Sequence, residues 1–429
     1  MVHETPTAAA RAFAKSGRIV EAESTIAQLI ASNFSMDVTA VKLNYDWTSL
    51  NSLNGMVKSR DGEYFFKLHQ EEGEEETVAE YYRGEMLKRN GYAVDVPVRV
   101  CRDPGRQILL YRIRRESTLA SALLAIERGE QGRDTGAPLV AAQRDFDASV
   151  ADIYLRTLHE ADPAAVAAEP IHQLFHARLC EPGRPDVLGG RAVRFHAGRN
   201  IEIGGTNLSW AEFAAARWIV NGVEYTDTLH EAFLRALHLL EPRRLARFGS
   251  VVAHGDAHNA NVWVERQGES FRLVMFDPAF AGSSVPALLA EVKATVHNIF
   301  AHPFWLYHPA EASSRFGVTA WLEAGSIRIE HDWKLDGMRL AFLELKRDLL
   351  WRPLLAAMKE RGLLPQDWRE TLRAALFACP TLVLNLLGEA EKPRPADVVL
   401  LSFALSLAMG STPVNRRDVF SDFIDGVST

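Results

Sequence analysis

Two carboxylates and one amide have the spacing expected of a site that handles a metal-bound substrate. Asp256 and Asn261 lie in the stretch His-Gly-Asp-Ala-His-Asn-Ala-Asn, and Asp277 directly follows the apolar run Leu-Val-Met-Phe. A carboxylate placed beside a hydroxyl can accept its proton. Amide and carboxylate oxygens are the side-chain ligands that Mg²⁺ commonly takes in proteins.

These groups fit phosphoryl transfer, a reaction in which a protein mainly positions the reactants and stabilises charge. Asp256 would orient the acceptor hydroxyl and accept its proton, while Asn261 and Asp277 would hold magnesium. The pattern H-x-D-x-x-x-x-N is short, so its context matters. The apolar residues 248–253 precede it and the strand-like residues 262–264 follow it.

The same segment resembles the aminoglycoside phosphotransferase and choline kinase-like family. Its members often show H-G-D-x-H-x-x-N followed by an apolar strand and an Asp, which here are His254, Gly255, Asp256, His258, Asn261 and Asp277. The resemblance covers residues 38–291. It implies a protein kinase-like fold, ATP and Mg²⁺ as cofactors, Asp256 as catalytic base, and Asn261 and Asp277 as metal ligands. It does not specify the acceptor.

One part of the chain departs from the family's pattern. Members commonly continue with Gly-Asp-Pro and a further Asp at the start of a helix, whereas Asp277 is followed by Pro-Ala-Phe-Ala-Gly-Ser-Ser. The second carboxylate is therefore missing. Either Glu291 takes over its structural role or no residue does.

Lys67 is the candidate for binding the nucleotide phosphates. It lies in the run Tyr-Phe-Phe-Lys-Leu-His, where strand alternation places it on the face opposite Phe66 and Leu68. In a kinase-like fold such a lysine contacts the α- and β-phosphates. A glutamate of the next helix would orient it, and we prefer Glu80 to Glu85. The alternative is an ordinary edge-strand lysine whose amine is solvated.

Two further segments are predicted to contact the nucleotide through their backbones. A loop between the first two strands would cover the phosphates with N–H groups, or form a plain hairpin turn; its residues are Asn51, Ser52, Asn54 and Gly55. The end of a later strand would bind adenine with the backbone of Tyr111, Arg112 and Ile113.

The two histidines of the motif have supporting roles in this interpretation. His254 would support the loop through hydrogen bonds, and His258 would do the same or approach the metal-bound phosphate. Histidines four residues apart on a helix can bind zinc. Gly255 and the two asparagines predict a loop instead, which disfavours zinc.

Two segments are candidates for lining an acceptor pocket. One is the glycine-rich stretch 189–208, a hairpin or an irregular loop. The other is 297–308, which carries His302, Phe300, Phe304, Trp305 and Tyr307. Aromatic residues at such spacing also form cores, which is the alternative. The acceptor would be a small molecule with a free hydroxyl, such as a sugar, polyol, aminoglycoside or amino alcohol.

The predicted secondary structure that positions these groups changes along the chain, from mixed helices and strands to mainly helices. Residues 8–30 have helical periodicity, and 38–43, 55–59 and 64–69 are strand-like. A helix over 77–90 and strands over 94–100 and 107–113 follow, and helical spacing dominates beyond 115. We predict a two-lobed, protein kinase-like α+β fold. It comprises an N-terminal helical extension (1–37), a β-rich nucleotide-binding lobe (38–114) and a helical lobe with the catalytic loop and acceptor site (115–429).

The composition narrows the class of protein. A net charge of −7 over 429 residues gives no reason to expect a nucleic-acid or anionic-membrane partner. Three cysteines are too few for a disulfide framework. No apolar stretch approaches ~20 residues, and the N-terminus lacks a signal-peptide core. A cytoplasmic protein is therefore expected, with its oligomeric state left open.

Two other functions compete with a small-molecule kinase. A protein kinase is disfavoured because no APE-like segment follows Asp277. A nucleotide-binding pseudokinase that acts as a regulatory module is favoured only by the missing second Asp. Lys67, Asp256, Asn261 and Asp277 are all present, which argues against loss of catalysis.

Overall fold

The structure is a computed structural model that describes residues 5–44, 52–69, 75–130, 136–301 and 304–428. For residues 52, 69 and 75–81 it describes the backbone alone. The chain divides into two units. The first unit is Met1–Ser117 with Val274–Ala279, and the second unit is Thr118–Leu273 with Phe280–Thr429.

The first unit is built on a five-stranded antiparallel sheet of order β1-β2-β3-β5-β4. Its strands are β1 (Val38–Leu43), β2 (Ser52–Ser59), β3 (Gly62–His69), β4 (Arg99–Cys101) and β5 (Ile108–Arg112). Its helices are α1 (Pro6–Lys15), α2 (Ile19–Phe34) and α3 (Glu75–Arg89). The predicted helices and most predicted strands of this region are confirmed. The strand predicted over 94–100 is confirmed only at its end, because β4 begins at Arg99 and extends to Cys101.

One hydrophobic core joins α1 and α2 to the sheet. Helix α2 contributes Ala22, Ile26, Leu29 and Ile30, whose spacing puts them on one helical face. Strands β3 and β5 contribute alternate residues, Phe66 and Leu68 from β3 and Ile108 and Leu110 from β5. This alternation turns Lys67 toward the opposite face of the sheet, as predicted.

The loop predicted to contain Asn54 and Gly55 is wrong, because both lie inside β2. Asn54 pairs with Lys67 and Gly55 with Phe66. A Cβ at Gly55 would stand 2.1 Å from the carbonyl oxygen of Lys42, so the glycine permits close approach of β1. The polar residues suggested a turn, but Asn54 is buried between strands. Asn51 lies outside the described residues, and so does the side chain of Ser52.

The second unit is mainly helical. Its helices are α4 (Leu119–Glu127), α5 (Gly136–Thr157), α6 (Pro163–Ala167), α7 (His176–Leu179), α8 (Gly190–Arg194), α9 (Trp210–Ala215), α10 (Leu229–Leu239), α11 (Val292–Thr295), α12 (Phe304–Tyr307), α13 (Pro309–Arg315), α14 (Gly337–Leu345), α15 (Arg352–Glu360), α16 (Trp368–Val383), α17 (Ala396–Gly410) and α18 (Val419–Gly426). The α+β class, with an antiparallel sheet first and helices after it, is thereby confirmed. No described helix is long and apolar enough to cross a membrane.

Short strands interrupt the helices. Two-stranded pairs are β6 (Cys180–Glu181) with β7 (Arg184–Leu188), β8 (Asn200–Ile203) with β9 (Thr206–Ser209), β12 (Ser250–Ala253) with β15 (Gly282–Pro286), and β13 (Val262–Gln267) with β14 (Ser270–Met275). The stretch 189–208 thus forms α8 and a hairpin. A four-stranded sheet of order β11-β10-β17-β16 was not predicted. Its strands are β10 (Arg217–Val220), β11 (Val223–Glu224), β16 (Val318–Glu323) and β17 (Ser326–His331).

A buried ionic network holds α5 to the segment before α11. Lys346 Nζ lies 2.8 Å from a carboxylate oxygen of Asp147 and 2.8 Å from one of Glu291. The hydroxyl of Tyr154 donates to the other oxygen of Glu291 at 2.7 Å. Burial alone would lower the pKa of Lys346, but the two carboxylates more than offset this and raise it above its ordinary value. Glu291 was considered as a replacement for the missing second carboxylate. Its contacts with Lys346 and Tyr154 give it a structural role.

Replacing Lys346 with Met should destabilise the protein strongly. The substitution keeps most of the side-chain volume but leaves two buried carboxylates without their cation, which costs about 3–5 kcal/mol of unfolding free energy. Chemical denaturation followed by circular dichroism would measure the change. Lys334→Met is the matched control, since that side chain is 79% exposed. Equal effects of the two substitutions would contradict a stabilising role for the buried network.

Candidate active site

The motif segment leaves a buried strand and turns sharply. Strand β12 is entirely buried and ends at Ala253. Gly255 has φ of +76°, and a Cβ there would stand 2.5 Å from the carbonyl oxygen of Phe280. The backbone conformation and the lack of space both require glycine at this position. A short 3₁₀ turn, Asn259–Asn261, then leads into β13.

Hydrogen bonds inside the segment fix its conformation. The N–H of Asp256 donates to Nδ1 of His254 at 3.3 Å, so His254 supports the loop as predicted. Nδ2 of Asn261 donates to the carbonyl oxygen of Asp256 at 3.0 Å. The N–H of Asn259 donates to Oδ1 of Asn298 at 2.7 Å. The hydrogen bond from its nitrogen therefore fixes the orientation of the Asn261 amide.

Asp256 is buried beside Lys293, which was not among the predicted site residues. Lys293 Nζ lies 2.9 Å from Oδ1 of Asp256, and the two side chains are 5% and 12% exposed. Burial alone would raise the pKa of Asp256, but Lys293 and then His258 outweigh it, so the pKa falls below its ordinary value. The carboxyl therefore stays ionised at neutral pH although it is buried.

Lys293 was missed because it belongs to no motif and lies on α11, a separate element. One weak signal was present. Lys293 is the only cationic side chain in the apolar run 285–296. A lysine is rarely buried without a partner, so its position in that run predicts a buried ion pair, although not with which carboxylate.

His258 connects Asp256 to the aromatic segment 297–308. Its Nε2 lies 3.8 Å from Oδ1 of Asp256, and its ring stacks on His297 with centroids 5.3 Å apart. Nδ1 of His297 is in hydrogen-bonding contact with the hydroxyl of Tyr307. This segment was predicted as an acceptor-pocket candidate, and two of its residues do stand near Asp256. His302 lies outside the described residues.

The remaining aromatic residues of that segment belong to the core. Phe300, Phe304 and Trp305 are buried. Trp305 donates its ring N–H to the carbonyl oxygen of Phe300 at 2.9 Å, and Phe300 packs edge-on against Phe420. These three residues therefore belong to an aromatic core, which was the alternative to lining an acceptor pocket.

In the first unit, Lys67 and Asp277 form an ion pair. Lys67 Nζ lies 2.7 Å from Oδ1 of Asp277, and the two side chains are 12% and 41% exposed. Asp277 has φ of +57°, a left-handed conformation that is uncommon for residues other than glycine. The backbone of Met275 exchanges hydrogen bonds with Ala93 and Asp95 at 2.8 Å each, which fixes the chain just before Asp277.

The other residues predicted to bind nucleotide lie at the end of β5 and in α3. Tyr111 and Arg112 end β5, opposite Phe65 and Tyr64, and Ile113 follows them. Glu80 lies in α3, but its side chain is outside what the structure describes. Glu85, the alternative partner for Lys67, forms no ion pair with any described residue.

Each unit contains one of the two predicted metal ligands. Asp277 offers a half-exposed carboxylate, and Asn261 offers an amide oxygen oriented by the hydrogen bond from its nitrogen. Mg²⁺ usually takes only one or two protein ligands and fills its octahedron with water and phosphate oxygens. Among the described residues, no group of three or more His, Cys, Asp and Glu side chains could hold a metal ion.

The comparison with protein-family models found no match, and neither did the comparison with curated proteins. Among solved structures, the chain is similar to a spectinomycin phosphotransferase in complex with ADP and spectinomycin, with 13% identity, a TM-score of 0.39 and coverage of 90% of this chain and 98% of that one. It is also similar to a microcompartment-associated aminopropanol kinase, with 15% identity, a TM-score of 0.41 and coverage of 90% and 96%.

A third similar structure is a thermostable mutant of an aminoglycoside phosphotransferase, with 11% identity, a TM-score of 0.42 and coverage of 90% and 98%. All three are phosphotransferases or kinases of small molecules by their descriptions.

Replacing Lys293 with Met should raise the pKa of Asp256 above its ordinary value. The carboxyl stays buried while its nearest cation is removed, so desolvation dominates. Carbon-13 NMR of protein labelled at the aspartate carboxyl carbons would follow the titration, with Asp256→Asn identifying the signal. Lys359→Met, on the exposed side of α15, is the control. An unchanged Asp256 titration in Lys293→Met would contradict the pairing.

Proposed function

We propose that the chain is an ATP-dependent phosphotransferase that moves the γ-phosphoryl group to a hydroxyl of a small molecule. The observation that carries the proposal is the geometry of the loop around Asp256. A buried carboxylate is kept ionised by Lys293 at 2.9 Å, and the amide of Asn261 is oriented by a hydrogen bond to the backbone of the same aspartate. Such a pairing of base and metal ligand suits phosphoryl transfer.

Asp256 would act mainly by positioning the acceptor. Its lowered pKa makes it a weak base, so it would accept a hydrogen bond from the hydroxyl and take the proton only as transfer proceeds. A loose transition state asks for little proton removal beforehand. His258, 3.8 Å from the same carboxylate oxygen, would hold the carboxylate in place or approach the transferred phosphate.

Asn261 and Asp277 would hold Mg²⁺, which when bound neutralises phosphate charge. Lys67 would supply a cation to the α- and β-phosphates, and its Nζ lies 2.7 Å from Oδ1 of Asp277. Adenine would meet the backbone of Tyr111, Arg112 and Ile113. Asn54 and Gly55 would contribute from strand β2 rather than from a loop, and Glu80 would orient Lys67.

The acceptor would be a small molecule with a free hydroxyl. A protein kinase remains disfavoured because no APE-like segment follows Asp277. The competing function is a module that binds a nucleotide but does not transfer its phosphoryl group.

ADP release should be seen with Mg-ATP and at least one member of a panel of sugars, polyols, amino alcohols, aminoglycosides and hydroxy acids. A coupled assay would measure it, with mass spectrometry of the product. Asp256→Asn should reduce the rate by about 10²- to 10⁴-fold, since it removes the proton acceptor while keeping the shape. Chelation of Mg²⁺ should abolish transfer.

Asp186→Asn is the matched control, because this aspartate is exposed on strand β7. Nucleotide binding without transfer to any acceptor would favour the binding module. Transfer at an undiminished rate in Asp256→Asn would remove Asp256 from the role of base.

A further inference from the structure

The helical segment that carries Lys293 continues into a wider turn. Helix α11 ends at Thr295 and is followed by a single π-helical turn, Val296–Phe300. The N–H of Ala301 donates to the carbonyl oxygen of Val296, five residues earlier in the chain, at 2.7 Å. In an α-helix the fourth residue after Lys293 would share its face. The wider turn lets the fourth and the fifth residue both lie on that side, and single π turns of this kind are frequent at functional sites.

Three buried side chains of this segment contact the loop that carries Asp256; they are Lys293, His297 and Asn298. Lys293 Nζ lies 2.9 Å from Oδ1 of Asp256. The ring of His297 stacks on His258 with centroids 5.3 Å apart and an angle of 23° between the ring planes. Oδ1 of Asn298 accepts a main-chain N–H of the loop at 2.7 Å. The segment thus holds the loop at three points.

The ring of His258 is held at its edge as well as at its face. Nδ1 accepts the N–H of Ala260 at 3.3 Å, so the neutral ring carries its proton on Nε2. Nε2 in turn lies 3.8 Å from Oδ1 of Asp256, which is longer than a hydrogen bond and makes the contact electrostatic. Lys293 approaches the same oxygen. Because both groups lie beside Oδ1, the other carboxylate oxygen, Oδ2, would meet the acceptor hydroxyl.

A tyrosine of a separate element fixes His297. Nδ1 of His297 is in hydrogen-bonding contact with the hydroxyl of Tyr307, at the end of α12, and the two ring centroids are 5.6 Å apart. Tyr307 is 37% exposed, whereas His297 is 2% exposed. A contact chain therefore runs from Tyr307 at the surface through His297 and His258 to Asp256.

We propose that His297 and Tyr307 are positioning residues for the phosphoryl transfer. They hold the His258 ring so that its Nε2–H faces Oδ1 of Asp256 and the acceptor hydroxyl meets Oδ2. This inference rests on the proposed function and adds two residues to it. Neither residue would touch the reacting atoms, so each acts through His258. A displacement of about 1 Å in such a site can cost about 10²-fold in rate, which is the scale of effect available to a positioning residue.

A double-mutant cycle tests whether Tyr307 acts through His258. Tyr307→Phe, His258→Gln and the double variant would be assayed with Mg-ATP and an acceptor that the wild type phosphorylates. We expect Tyr307→Phe to lower kcat by roughly 3- to 10-fold with KM for ATP within about 2-fold, and His258→Gln to lower kcat further. The double variant should be no slower than His258→Gln alone, because the effects of coupled residues are not additive. Losses that multiply in the double variant, or an undiminished kcat in Tyr307→Phe, would overturn the inference.

Tyr225→Phe is the matched control. Tyr225 is buried, and its hydroxyl donates to Asp418 at 2.9 Å, so the substitution removes an equivalent hydrogen bond outside the contact chain. It should lower Tm and leave kcat unchanged. His297→Leu removes the ring on which His258 stacks and should lower kcat at least as much as Tyr307→Phe. Equal losses of kcat in Tyr225→Phe and Tyr307→Phe would reduce the effect to general destabilisation and overturn the inference.

Nitrogen-15 NMR of protein labelled at histidine tests the contact chain without turnover, with His258→Gln identifying the signal. At about pH 8, above the ordinary pKa of histidine, the wild type should show His258 protonated on Nε2. Tyr307→Phe should shift or broaden the His258 ring signals, whereas Tyr225→Phe should not. This result without transfer to any acceptor would contradict the proposed function and support the contact chain. Unchanged His258 signals in Tyr307→Phe would overturn the inference even where transfer is observed.

Discussion

The ion pair between Asp256 and Lys293 is the interaction on which the proposed chemistry depends. A buried carboxyl without a cation would be neutral at pH 7 and could not accept a proton. Lys293 lies on α11, two residues after Glu291, whose carboxylate is held by Tyr154 of α5 and by Lys346. The network around Lys346 therefore fixes the start of α11, and α11 in turn places the cation beside the base.

Two ionic contacts of the second unit have different roles. Lys293 Nζ lies 2.9 Å from one carboxylate, that of Asp256, and lowers the pKa of the proposed base. Lys346 Nζ lies 2.8 Å from each of two carboxylates, those of Asp147 and Glu291, and joins α5 to the segment before α11. The first contact bears on the chemistry, and the second bears on the position of α11.

Local patterns in the sequence predicted the parts of the molecule that local physics determines. The alternation around Lys67 predicted which face its side chain takes, and the turn at Gly255 follows from the residues of the motif. Lys293 comes from an element remote in sequence, and only packing brings it near Asp256. The pairing of β10 with β17 was missed for the same reason, and Asn54 misled because a buried strand and a turn can share polar residues.

Transfer of an isotopically marked phosphoryl group tests the central claim most directly. The protein would be incubated with Mg²⁺, a small-molecule extract containing hydroxyl compounds, and ATP whose γ-phosphoryl oxygens are ¹⁸O. Mass spectrometry would then search for products that gain the marked group. The account predicts at least one marked product with the wild type, and about 100-fold less of it or lower with Asp256→Asn. No marked product with the wild type, while ADP still binds, would contradict it.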